Sequence, residues 1–204
     1  MRWLRIVLMT ICLITIGGCG SSPATRFYAL TAIASTTAAP MPASTLTPAV
    51  GVRAVDLPAE LDRPQIVTRS GTNSVQLAEF DRWSAPLRDI IARLIAENLA
   101  AQLPADRVAV YPWMPGDSIE QEVTVEIIRF EGRRGGPCVL EARWRVTGTS
   151  GRPGRVTGRT GATENAGEDY ASVVAAQSRL VGRLSGDIAA AIRSNVAARP
   201  QSSN

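Results

Sequence analysis

Apolar residues recur along this chain in two rhythms, and the order of the rhythms restricts the fold more than any other feature. Short runs with every second residue apolar come first, and a stretch with helical spacing follows at residues 87–103. Further alternating runs come next, and a second helical stretch closes the chain. In the first helical stretch Leu87, Ile90, Ile91, Leu94, Ile95, Leu99 and Leu103 share one stripe, with Ser84 near the cap, Pro86 in the first turn and Pro104 as the stop. Arg88, Asp89, Arg93 and Glu97 fall on its wet side. The second stretch runs from Tyr170 to about Val196 and carries Val173, Val174, Leu180, Val181, Leu184, Ile188 and Ile192. Gly182 and Gly186 weaken it, so tertiary packing must hold it.

Residues 26–30, 50–54, 66–69, 74–80 and 107–111 read as short strands, with Ser70-Gly71-Thr72-Asn73 as a turn. Residues 121–130, 138–147 and 155–163 read as a three-stranded meander. Val123, Val125 and Ile127 face one way, as do Leu140, Ala142, Trp144 and Val146. The other face carries Glu122 and Glu126 against Arg143 and Arg145, so a register that joins the apolar residues also joins the opposite charges. The predicted class is α/β, a single domain with a mixed, mostly antiparallel sheet packed by two main helices. Residues 32–49 are uncharged and rich in alanine, threonine, serine and proline, which reads as a flexible loop or a plain tether.

At the amino terminus Arg2 and Arg5 precede the apolar run 6–16 and then Ile16-Gly17-Gly18-Cys19. The run is well short of the ~20 apolar residues that cross a bilayer as a helix. A positive start, a short apolar middle and small residues before a cysteine resemble a bacterial lipoprotein signal peptide. The resemblance implies that residues 1–18 are removed, and that Cys19 receives a diacylglyceryl thioether and an amino-terminal acyl chain. The mature domain is then 19–204, fixed to a membrane by several acyl chains. Gly20 and Ser21 lack the aspartate that holds enterobacterial lipoproteins in the inner membrane, which by that sorting rule implies the periplasmic leaflet of the outer membrane.

Composition excludes much chemistry. The chain has no histidine, and all 22 of its basic residues are arginine. Serine or cysteine triads need an imidazole, Schiff-base and phosphate-loop sites need lysine, and common zinc sites use histidine. No cofactor or metal is expected. Loss of Arg2 and Arg5 takes the formal charge from +4 to +2, and an exported, mildly basic domain is no nucleic-acid reader. Cys12 leaves with the signal and Cys19 is acylated, so Cys138 stands alone and reads as inert, with no lysine or histidine to activate it. Asp56, Glu60 and Asp62 form the one conspicuous carboxylate cluster that a hydrolase could use, but they fall beside a strand end and turn, where acids serve solvation. Arg133-Arg134 and Arg152-Pro153-Gly154-Arg155 lie in successive meander turns and so at opposite ends of the sheet.

The segments Phe27-Tyr28-Ala29-Leu30, Leu61-Asp62-Arg63-Pro64-Gln65-Ile66-Val67-Thr68-Arg69 and Arg82-Trp83-Ser84-Ala85-Pro86-Leu87 carry a further resemblance. With Leu140-Glu141-Ala142-Arg143-Trp144 and the closing Tyr170…Ala176-Gln177-Ser178…Leu184-Ser185…Ile188-Ala189, they resemble the PqiC-type auxiliary lipoproteins of ABC-type and MCE transport systems. The resemblance implies a non-enzymatic, outer-membrane-anchored component of intermembrane lipid transport. Its implied partners are a periplasm-spanning MCE-domain protein and an inner-membrane permease. Arg63, Arg69 and Trp83 lie in these motifs and are residue types enriched among interface anchors. Their alternative roles are structural, with Trp83 packed under the first helix and Arg63 pinning a turn. The runner-up function is a stand-alone lipid-binding or structural envelope lipoprotein, and the sequence permits a homo-oligomer without arguing for one.

Overall fold

The computed structural model describes residue 3 and residues 22–32, 49–103, 108–114, 116–149 and 154–197. Cys19, all of the expected signal but residue 3, and nearly all of the 32–49 loop lie outside these residues, as do Pro104 and the turn 150–153. The elements in chain order are β1 Arg26–Tyr28, β2 Val50–Val52, β3 Gln65–Arg69, β4 Val75–Trp83, α1 Leu87–Gln102, β5 Val108–Val110, β6 Gln121–Glu131, β7 Pro137–Gly148, β8 Arg155–Asn165 and α2 Tyr170–Ala197.

The fold is α/β with two helices, as the alternation of rhythms predicts, and its strands are divided between two sheets. One sheet has the order β1-β4-β3 and the other β5-β2-β6-β7-β8. The meander is antiparallel throughout, whereas β2 runs parallel to both β5 and β6, and β1 runs parallel to β4. The parallel pairings join segments far apart in sequence. The sheets meet where β3 passes the β6–β7 turn: the Arg69 amide donates to the Gly132 carbonyl at 2.8 Å.

The core is the pattern residues made physical. All seven stripe residues of α1 are buried, as are the seven of α2, and they close over Val123, Val125, Ile127, Phe130, Leu140, Ala142, Trp144 and Val146 from the large sheet. Helix α1 starts one residue after Pro86, which caps it without a side-chain hydrogen bond, so Ser84 is not the cap. The Ser84 amide instead donates to the Tyr28 carbonyl at 2.9 Å. Where the helices touch, buried Asn98 donates from Nδ2 to Ser185 Oγ at 3.2 Å. On the sheet, Trp144 Nε1 donates to Thr160 Oγ1 at 3.1 Å, and that hydroxyl donates to Asp187 of α2 at 2.6 Å.

Two glycines allow close approach. A Cβ on Gly158 would lie 2.1 Å from the Trp144 ring, and one on Gly51 would lie 2.6 Å from the Trp113 ring. Gly51 therefore lets a loop press onto the outer face of β2, while the helices cover its inner face. This explains why all three residues of β2 are buried.

Candidate functional site

The residues singled out from the sequence occupy different settings. Trp83 ends β4 at 5 % exposure within the core, so its indole offers no surface to a partner. Arg63 donates from Nε to the Glu60 carbonyl at 2.8 Å and pins the turn before β3. Arg69 grips Glu131 with two guanidinium nitrogens, at 2.9 Å for Nε, and donates from Nη1 to the Thr72 carbonyl at 2.8 Å. Arg129 adds a 2.9 Å contact to the same carboxylate and a 2.7 Å contact to Glu141. Arg69, with help from Arg129, holds the Glu131 carboxyl below the usual glutamate range against the opposing effect of burial. The structure therefore makes Arg69 a clasp between the two sheets. The acids Asp56, Glu60 and Asp62 are not gathered into a site. Asp62 is ion-paired with Arg88 of α1, and Asp56 sits on the outer face of the large sheet beside Glu126.

The amino-terminal end of the body is defined by β1 and α2. Arg26 and Tyr28 both bind Asp81, the tyrosine hydroxyl donating at 2.8 Å. The Asp169 carboxyl is held low chiefly by hydrogen bonds from Ser172, and the chain leaving β1 meets the first third of α2, where the Thr31 amide donates to Ser178 Oγ at 3.2 Å. The β6–β7 turn closes this same end. Gly135 there has φ +63°, a conformation that favours glycine, and its amide donates to the Gly167 carbonyl at 2.8 Å. Arg134 is engaged by the Glu168 carbonyl and by the Tyr170 ring, 5.3 Å from its centroid.

At the opposite end of β6 the chain after β5 folds back over the outer face of β2 as a loop. Tyr111 is 47 % exposed and Met114 72 % exposed, while Trp113 is half-buried against Gly51. The Tyr111 and Trp113 rings meet edge to face with centroids 5.3 Å apart, and the Arg53 guanidinium lies 5.3 Å from the Tyr111 centroid. Arg53 is oriented by Glu122 at 2.7 Å. Tyrosine, tryptophan, methionine and arginine are the side chains enriched in interface cores, and here they form one exposed cluster. Sequence reading took Tyr111 as the end of the strand 107–111 and passed over Pro112-Trp113-Met114, which lack periodicity although two of the three are large side chains.

The two ends are about 30 Å apart along β6, at ~3.3 Å per residue. Between them the outer face of the large sheet carries a groove of about 570 Å³, lined by Asp56, Glu126, Arg143, Arg145 and Arg159 among others. Among the described residues no helix is long and apolar enough to cross a membrane, and no three histidine, cysteine or acidic groups are placed to share a metal ion.

Comparison with known proteins now adds identity to geometry. A solved structure described only as an uncharacterized protein shares 19 % identity with this chain, covers 83 % of it and 99 % of its own length, and superimposes with a TM-score of 0.67. A Xanthomonas campestris protein of the DUF330 family shares 15 % identity over 80 % of this chain and 92 % of its own, with a TM-score of 0.63. Both likenesses are of fold alone. No curated protein matches. The family of ABC-type transport auxiliary lipoprotein components matches residues 28–189, from β1 to the last third of α2, and the chain belongs to that family.

Proposed function

We propose that the mature chain is acylated at Cys19, is anchored in the periplasmic leaflet of the outer membrane, and docks a periplasm-spanning MCE-domain protein of an intermembrane lipid transport system. An inner-membrane permease stands at the far end of that system. Membership of a transport auxiliary lipoprotein family supports the general role. The observation that carries the finer reading is the polarity of the body. The chain enters β1 at the end closed by the β6–β7 turn, and the Tyr111, Trp113 and Met114 cluster lies at the other end.

From Cys19 to Arg26 the backbone can reach about 25 Å at most, at ~3.3–3.6 Å per residue. A body tethered so closely by one end presents its other end to the periplasm. Docking through that end gains from the anchor, because both membrane and partner contacts are then made at high effective concentration. In this reading Trp83 and Arg69 hold the body rigid, Arg63 holds the turn before β3, and Tyr111, Met114 and Arg53 meet the partner.

The anchoring half is tested by separating inner and outer membranes from cells carrying the wild-type chain or Cys19→Ser. Wild-type protein in the outer-membrane fraction with a triacylated Cys19 peptide, and a serine variant that carries no acyl chain and is lost from the outer-membrane fraction, are the expected results. Wild-type protein in the inner-membrane fraction, or an unmodified Cys19, contradicts the proposal.

A further inference from the structure

The groove on the outer face of the large sheet has a charge layout that plain solvation does not require. An isolated bridge sets Asp56 beside Glu126, and register sets Glu126 beside Arg143 and Arg143 beside Arg159, so the row from Asp56 across β6, β7 and β8 reads acid, acid, arginine, arginine. The adjoining row sets Arg145 between Thr124 and Thr157. Like charges directly opposite on neighbouring strands are destabilising, yet Arg143 and Arg159 stand in that relation, with Arg145 on the same face two residues along β7. Among the described residues the one acid that reaches the trio is Glu126, which meets Arg143 loosely at 3.5 Å with both side chains more than half exposed. Among the described residues neither Arg145 nor Arg159 meets a carboxylate at ion-pair distance.

We propose that this groove binds a zwitterionic phosphate-amine group of the phosphoethanolamine class. The phosphodiester oxygens would lie among Arg143, Arg145 and Arg159, where guanidinium forks match phosphate geometry and the Thr157 and Thr124 hydroxyls can donate. The ammonium would lie against Asp56 and Glu126, one to two strand spacings of ~4.8 Å away, a separation that a two-carbon bridge and flexible carboxylate side chains can close. The ligand supplies the anion that relieves the opposed arginines and a cation for Asp56 and for Glu126, whose contact with Arg143 is the loose one at 3.5 Å. Arg53, which orients Tyr111, is itself held by Glu122 on this same face, so the groove borders the docking cluster. The inference takes only the lipid source of the ligand from the transport reading; the site stands on the side-chain layout.

The test is calorimetric titration of the full mature chain in neutral detergent with glycerophosphoethanolamine, glycerophosphoglycerol and inorganic phosphate. Saturable binding of glycerophosphoethanolamine, at least tenfold tighter than the other two, is expected. Arg145→Gln and Arg159→Gln should each weaken it about tenfold, and Asp56→Asn should bring it down to the affinity for glycerophosphoglycerol. All three positions are exposed, and unchanged thermal melts would confirm that the variants fold. Absence of saturable binding, or equal response from all variants, overturns the site. Phosphate binding as tightly as glycerophosphoethanolamine overturns the zwitterionic assignment and leaves a free-phosphate site. Loss of partner docking with headgroup binding intact would separate failure of the docking reading from failure of this one.

Discussion

At the scale of single residues the chemistry of the chain is set by what surrounds each side chain. Cys138 is fully buried, and burial pushes its thiol pKa up. With Cys19 acylated as proposed, the mature protein should therefore show no thiol reactive toward a disulfide reagent near neutral pH until denaturant is added, when one should titrate. A thiol that reacts in the folded protein would show that Cys138 is reachable. Gly158 makes the opposite point, because there the missing side chain does the work. Gly158→Ala sets a methyl carbon into the Trp144 ring and should cost about 1–3 kcal/mol in denaturant unfolding, whereas the same change at Gly161, where a Cβ meets nothing within 4 Å, should cost far less. Burial of Cys138 could be foreseen from its place at the start of an alternating run. The need for glycine at 158 could not, since it depends on which residue β7 sets opposite it.

Elements were legible wherever their pattern was long. The residues expected in the cores of α1 and α2 are buried without exception, and the three meander strands fall within about two residues of their expected bounds. Pairing partners were less legible. Glu126 does face Arg143, but Glu122 turns to Arg53 and Arg145 stands between threonines, because β2 inserts beside β6 and supplies a closer arginine. Three-residue strands such as β1, β2 and β5 carry too little pattern to say which neighbour they choose, so the division into two sheets was hidden. The clasp joining those sheets makes a pH-dependent prediction. Glu131 and Glu164 are both held below the ordinary carboxyl range, Glu131 chiefly by Arg69 and Glu164 chiefly by Arg179 with Arg183. A depressed folded pKa contributes stability that is present above the unfolded value of ~4.3 and is lost as pH falls through the folded value. Thermal melts should therefore drop below about pH 4.3. Glu131→Gln should lower stability at pH 7 and flatten that acid limb; an unchanged acid limb would show that the clasp is not ionised in the way described.

At the scale of the whole molecule, the body belongs to a transport auxiliary lipoprotein family and has two unlike ends. One receives the chain that leads back to Cys19, and the other exposes aromatic and methionine side chains beside a charged groove. The sequence motifs pointed to Arg63, Arg69 and Trp83, with a turn for Arg63 and a packed place under the first helix for Trp83 as the alternative roles, and the structure shows these side chains in structural settings. Two of the three are spent on a turn and a clasp, and the third is interior. Beyond Tyr111, which closes the expected strand 107–111, the Tyr111, Trp113 and Met114 cluster lacked a periodic signal and became visible only through exposure. Tyr111→Ser with Met114→Ser leaves Trp113 on Gly51 and so should leave the fold and membrane anchoring intact. The most direct test is affinity isolation of the tagged wild type and this double variant from envelopes in mild detergent, with partners identified by mass spectrometry. An MCE-domain protein that accompanies the wild type and is reduced at least tenfold with the folded, acylated double variant is the predicted result. An acylated wild type that returns without any MCE-domain protein, or equal recovery with both chains, contradicts the account.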